Sequence, residues 1–200
     1  MIKVVDDFLS PSYFNFIEHC CLDKLEWVYT ENITDDLVDN KSQFGFSVPI
    51  HSMNGPSESA FSWILSGFLY QTRDYVGSNE ILRSRCDMTL YNSNKVMHIP
   101  HVDFEDPYVP NITTIFYITD NEDSETVIFD RKLQEGEDKS TIDFSKVDIL
   151  KKVNPKRNRL VVFDGDYLHT GHSPTKENRR VLINTNFSMN APLLTMNSND

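Results

Sequence analysis

The spacing of apolar residues changes once along this chain, and the change divides it. From Pro11 to about residue 22, Phe14, Ile17, Cys20 and Cys21 recur at helical spacing. Ser10-Pro11 opens that run with an N-cap residue and a proline at the first helical position. A second stripe, Phe61, Ile64, Leu65, Phe68 and Leu69, starts near Ser57 and predicts a helix to Tyr75 or Gly77. Residues 2–9 read as a short strand. Residues 28–56 are polar and broken by Asn54-Gly55-Pro56, which predicts a long loop with room for one strand. Beyond about residue 84 the period falls to two. Strands are predicted at 84–92, 95–103, 111–119, 125–130, 147–153, 158–164, 167–169 and 179–188. Two helices ahead of eight short strands imply a mainly β fold, an antiparallel sandwich or barrel with N-terminal helices buttressing one sheet. The acidic stretch 131–146 has weak periodicity and reads as an exposed insertion. No repeat or linker interrupts the chain, so one domain is expected over 1–200: an N-terminal part (1–83), a β core (84–188) and a tail (189–200).

Composition narrows the class. Of the 200 residues 39% are hydrophobic and 12% aromatic, enough for a packed core. The net charge of −11 leaves no basic face, so neither nucleic acid nor an anionic membrane is expected as a partner. The one basic cluster, Lys151, Lys152, Lys156, Arg157 and Arg159, reads as a solvated turn between strands. Cys20, Cys21 and Cys86 form neither a disulfide framework nor a zinc-type spacing, and reduced thiols fit the cytoplasm. Met1-Ile2-Lys3 leads straight into a strand-like run, so no signal peptide is expected. No apolar stretch approaches the roughly 20 residues of a membrane span.

The candidate chemistry lies in the β half. His101 and Asp103 are two apart, so on an extended strand both side chains leave the same face. A second imidazole from a distant strand would complete a 2-His-1-carboxylate set for Fe(II), with positions left open for a cosubstrate and dioxygen. Two residues compete for that place. His169 follows the apolar run Leu160–Phe163 near a short strand, whereas His172 lies between Gly171 and Pro174 in a turn; His169 is favoured. A cation about ten residues further on would reach a dicarboxylate bound to the metal. Alternation selects Arg180 over Arg179: Leu182, Asn184 and Asn186 share its face, while Val181, Ile183 and Phe187 face an apolar layer. A guanidinium matches a carboxylate in bidentate geometry, and Asn184 would stand beside the same ligand.

In this order of elements the chain resembles the Fe(II)/2-oxoglutarate-dependent dioxygenases, in particular their prolyl 4-hydroxylase-like branch. Val4-Val-Asp-Asp-Phe-Leu-Ser-Pro11 looks like that branch's first strand and helix. Tyr91 stands ten residues before His101, where such enzymes carry a cosubstrate-contacting Tyr. Tyr117, in Ile115-Phe-Tyr-Ile118, matches a second one. Ser124-Glu-Thr-Val-Ile-Phe129 and Val153–Phe163 look like the two strands preceding the distal His, and the gap of eleven from His169 to Arg180 is usual. Two loops depart: Asn92-Ser-Asn94 replaces a common glycine-rich turn, and no paired Gly precedes Glu125. The resemblance implies a double-stranded β-helix (a jelly roll, cupin-like). His101, Asp103 and His169 would hold Fe(II), and Arg180, Tyr91 and Tyr117 would bind 2-oxoglutarate. The reaction would consume dioxygen and hydroxylate an aliphatic C–H, with a prolyl or other side chain of a peptide as the favoured substrate. A small metabolite as substrate, or a catalytically idle binding module on the same fold, are the alternatives.

Overall fold

The computed structural model describes residues 2–31, 33, 43–104, 110–134, 137 and 141–189 of the chain. Its elements in order are β1 (Lys3–Val5), α1 (Pro11–His19), β2 (Val28–Thr30), β3 (Gly45–Ser52), β4 (Gly55–Pro56), α2 (Ala60–Val76) and β5 (Ile81–Leu90). There follow β6 (Asn111–Tyr117), β7 (Thr126–Lys132), β8 (Ile149–Val153), β9 (Arg159–Asp164), β10 (Tyr167–Gly171) and β11 (Arg179–Ser188). The larger sheet runs β1-β9-β6-β11-β5-β3-β2, with β4 paired to β3, and the smaller runs β10-β7-β8. Bridges at Met97↔His172 and His101↔His169 lay residues 97–101 along the free side of β10 as a broken fourth strand.

Each helix forms where the pattern placed it. Ser59 caps α2 by accepting from the Ser62 N–H, and Gly77 ends it in the left-handed conformation at φ 71°. α1 ends at His19 and continues as a π-helical turn over Cys20–Lys24. Phe14 and Ile17 of α1 and Leu65, Phe68 and Leu69 of α2 pack on one face of the large sheet, against Cys86, Met88, Phe116, Val181 and Ile183. The Phe116 ring lies 4.8 Å from that of Phe68 and 6.0 Å from that of Phe14, so aromatic stacking joins both helices to β6. The opposite face of the sheet meets the small sheet through Ile115, Tyr117, Ile128, Val161, Phe163 and Leu182. This is the double-stranded β-helix arrangement with helices on one sheet.

Four expectations need correction. The polar stretch 28–56 holds three strands, not one, and β3 lies between β5 and β2 within the sheet. Residues 95–103 make two isolated bridges rather than a continuous strand, because Pro100 has no N–H to offer a ladder. The stretch 131–146 is not wholly exposed: Arg131 and Lys132 extend β7, and Ile142 and Phe144 pack on the outer face of the small sheet. The basic cluster is not merely solvated, since Lys156 and Arg159 both pair with Asp6 and Arg157 pairs with Glu18. The tail beyond residue 189 and the loop positions 105–109 lie outside the described residues.

That cluster fastens the N-terminal segment to the turn before β9. Asn158 is central to it: its side chain accepts from the Leu9 N–H at 2.9 Å and donates to the Leu9 carbonyl at 2.8 Å. It does so from a backbone at φ 62°, which asparagine tolerates better than most residues. Asn158→Ala should cost about 3 kcal/mol, because two buried backbone groups lose partners and alanine resists positive φ. Asn158→Gly should recover only the backbone share. Urea denaturation of the three proteins checks this, and equal stability of all three would show that the cap contributes nothing.

Candidate metal centre

His101 and His169 face one another across the gap between residues 97–101 and β10. The His101 N–H donates to the His169 carbonyl at 3.0 Å, and the His169 N–H returns the bond at 2.9 Å. This double bond fixes the two backbones, and the two rings lie 4.7 Å apart. Val102 points outward into the Val127, Phe129 and Leu168 cluster, so its neighbours His101 and Asp103 both point inward, as the spacing predicted. The His101 Nε2, an Asp103 oxygen and the His169 Nε2 lie 3.6–4.0 Å apart along the two His–Asp edges. Ligand atoms of all three residues fall within 4.8 Å of one another.

Hydrogen bonds orient both rings for ligation. His101 Nδ1 bonds the Ile99 carbonyl and His169 Nδ1 bonds the Tyr167 carbonyl, each at 3.0 Å and each two residues back along the chain. A carbonyl can only accept, so Nδ1 carries the proton and Nε2 presents its lone pair inward. The His169 Nε2 is buried and has no hydrogen-bond partner. Burial, and then the neighbouring His169, push the pKa of His101 down to about 3, so its ring is neutral at physiological pH. The neutral His101 ring, the unpartnered Nε2 of His169 and the Asp103 carboxylate together are the donor set that an Fe(II) ion fits.

Asp103 is held by an array of donors. Arg83 Nη2 lies 2.9 Å from it, Asn186 Nδ2 2.9 Å, Asn184 Nδ2 3.2 Å and the Thr113 hydroxyl 3.2 Å. Burial opposes ionisation, but the Arg83 guanidinium and the Asn186 amide outweigh it and keep the carboxyl well below the usual range. Asp103 is therefore an anion with its orientation fixed before any metal arrives. Asn186, Thr113 and Arg83 were not singled out from sequence as donors to Asp103. Asn186 and Arg83 are register partners of each other, in the same alternating rows as Asn184 and Arg85. His172 takes no part: its Nδ1 lies 3.3 Å from the Glu125 carbonyl.

β11 carries the second half of the site. Its inward face presents Arg180, Leu182, Asn184 and Asn186, and Val181, Ile183 and Phe187 lie on the helix side, in the register that alternation predicted. Arg180 is 5% exposed. Its Nη2 donates to the Thr126 hydroxyl at 2.7 Å, and its guanidinium carbon lies 5.6 Å from the centre of the Tyr117 ring. The Tyr117 hydroxyl donates to the same Thr126 oxygen at 2.6 Å. Gly171 leaves the guanidinium its space, since a Cβ there would stand 3.0 Å from Nη1. Among the described residues no carboxylate lies within ion-pair distance of Arg180, and its buried Nε has no partner. A buried cation so poorly matched has the capacity to receive an anion.

One cavity joins these parts, lined by His101, His169, Thr126, Arg180, Leu182 and Asn184 among others. Asn184 stands in it; its Nδ2 donates to Asp103, and its Oδ1 is buried without a partner. Tyr91 does not stand there. It is half exposed and absent from the lining, because β5 ends at Leu90 and the next two N–H groups turn away to the Asn178 and Pro174 carbonyls. Its place in the wall is taken by Thr89, opposite Arg180.

No family model matches the chain, and no curated protein matches it by sequence. Solved structures do match in fold. A 2OG-Fe(II) oxygenase family oxidoreductase from Burkholderia pseudomallei has a TM-score of 0.63 at 13% identity, over 95% of this chain and 86% of its own. A Pseudomonas putida prolyl-4-hydroxylase has a TM-score of 0.59 at 11% identity, over 94% and 92%. A non-haem alpha-ketoglutarate-dependent epimerase of nogalamycin biosynthesis has a TM-score of 0.64 at 12% identity, over 95% and 78%. The chain therefore has the jelly-roll fold of the 2OG-Fe(II) oxygenases, with a His-Asp-His group inside it.

Proposed function

We propose that this chain is an Fe(II)- and 2-oxoglutarate-dependent oxygenase that hydroxylates an aliphatic C–H bond. The balance is R–H + 2-oxoglutarate + O2 → R–OH + succinate + CO2, with one oxygen atom entering the C–H bond and the other entering succinate. The supporting observation is the polarity of one site: a His-Asp-His group with a buried, unpartnered His169 Nε2 at one end, and a buried guanidinium without an ion-pair partner at the other.

His101, Asp103 and His169 would hold Fe(II), which supplies the one site where the cosubstrate and dioxygen react. Arg180 would bind the C5 carboxylate of 2-oxoglutarate, with Thr126 and Tyr117 holding the guanidinium in place. Burial raises the Tyr117 pKa, so its hydroxyl stays protonated and can donate. Asn184 and Asn186 keep Asp103 from swinging. The apolar residues Leu182 and Ile115 line the cavity and would limit water there.

The test mixes the purified protein anaerobically with Fe(II) and 2-oxoglutarate. A weak visible charge-transfer band should appear and should vanish in Asp103→Ala. In air, succinate should then accumulate even without added substrate, which an idle binding module would not give. No band in the wild type would sink the reading.

The similar structures, a prolyl-4-hydroxylase and an epimerase of nogalamycin biosynthesis among them, suggest two substrate classes. A prolyl or other side chain of a peptide is the sequence expectation. The polar wall formed by β5 favours the second, a small metabolite. Three buried free cysteines fit a cytoplasmic protein, and no described helix is long and apolar enough to cross a membrane.

A further inference from the structure

β5 places Arg85, Asp87 and Thr89 on alternate positions, and all three line the cavity. They stand level with Asn184, Leu182 and Arg180 of β11. The oxygenase reading gives Arg85 and Asp87 no task, and Thr89 stands opposite Arg180 where Tyr91 was expected. Asp87 is 6% exposed and Thr89 5%. Asp87 Oδ2 accepts from Arg85 Nε at 2.9 Å, and Arg85 Nη2 reaches the Ile33 carbonyl at 3.3 Å. Asp87 Oδ1 and the Thr89 hydroxyl are buried with no hydrogen-bond partner.

A carboxylate with one oxygen unmatched requires a donor from whatever fills the cavity. A prolyl ring within a peptide has none: its nitrogen carries no hydrogen and the ring is hydrocarbon. Seating it here would leave Asp87 Oδ1 and the Thr89 hydroxyl without a partner, an unfavourable arrangement. An added lone cation is poorly suited too, because Arg85 already neutralises Asp87. A guanidinium and a carboxylate side by side instead complement a ligand that is neutral overall and carries both charges.

Resting on the oxygenase reading, we propose that the primary substrate is a free α-amino acid, its ammonium received by Asp87 and Thr89 and its carboxylate by Arg85. The guanidinium has five N–H donors, and its bonds to Asp87 and Ile33 leave donors for a carboxylate. The amino acid's own side chain or ring would then offer the C–H to be hydroxylated.

The experiment supplies the Fe(II)-loaded protein with 2-oxoglutarate and air, and compares three additions: the free L-amino acids singly, their N-acetyl amides, and a prolyl peptide. Succinate formation and a product heavier by one oxygen atom are read together. At least one free amino acid should raise succinate about tenfold over the unsupplemented rate, and its N-acetyl amide should not. Asp87→Asn should then raise the KM for that amino acid about ten- to a hundredfold. Thr89→Val, nearly isosteric, should raise the same KM with the 2-oxoglutarate KM unchanged if the first variant fails to fold. Stimulation by the N-acetyl amides or the prolyl peptide but by no free amino acid would overturn the proposal, as would an unchanged KM in both variants. So would basal succinate and a visible band with no stimulation by any amino acid. Absence of the band in the wild type would overturn the oxygenase reading, and this inference with it.

Discussion

His169→Ala should abolish tight Fe(II) binding, while His172→Ala should leave it intact. The two residues are three apart in sequence and were rivals for one role. The backbone separates them. His169 is tied to His101 by two hydrogen bonds, and its Nδ1 proton is held by the Tyr167 carbonyl, so Nε2 has nowhere to point but at Asp103, 3.6 Å away. His172 bridges Met97 and sends Nδ1 to the Glu125 carbonyl. Losing an outer hydrogen bond to a metal ligand typically weakens affinity about 10–100-fold, and losing the ligand itself should exceed that. Anaerobic Fe(II) titration, and the visible band formed with 2-oxoglutarate, measure it. A crippled His172→Ala beside a competent His169→Ala would show that the ligand assignment is wrong.

What was legible in the sequence follows from which residues had their surroundings fixed by their own strand. β11 could be read because its two faces differ in kind: Val181, Ile183 and Phe187 meet the helices, so Arg180, Asn184 and Asn186 must turn the other way. β3 could not. It is held by pairing to β5 and β2, interactions remote in sequence, and Pro49 in its middle has no N–H to give a ladder. Tyr91 was placed by likeness to other chains, and likeness carries no information about where β5 stops. One further residue of strand would have turned it inward; instead its N–H bonds the Asn178 carbonyl. Thr126 went unweighted because a threonine in an apolar strand is common. Its meaning comes only from Tyr117 and Arg180 meeting at its hydroxyl. Arg85 and Asp87 likewise gain significance from the cavity they border, which no local pattern describes.

The same logic makes Arg180 the most demanding position on β11. Arg180→Ala should raise the apparent 2-oxoglutarate KM by about 30- to several thousandfold, the equivalent of roughly 2–5 kcal/mol for stranding a buried carboxylate without its partner. Fe(II) binding should survive, because Arg180 makes no hydrogen bond or ion pair with His101, Asp103 or His169. Arg180→Lys should fall between the two, since an ammonium keeps the charge but not the two-pronged geometry. Arg179→Ala should change KM little. Arg179 sits opposite Leu90 on the other face, and its backbone carbonyl, which alanine retains, accepts from the Asn121 amide at 3.2 Å. Steady-state kinetics with varied 2-oxoglutarate, alongside Fe(II) titration, separates these cases. If Arg180→Ala kept its KM while Arg179→Ala lost it, the anion would bind outside the cavity. The buried guanidinium would then be a structural partner of Thr126 and Tyr117 alone.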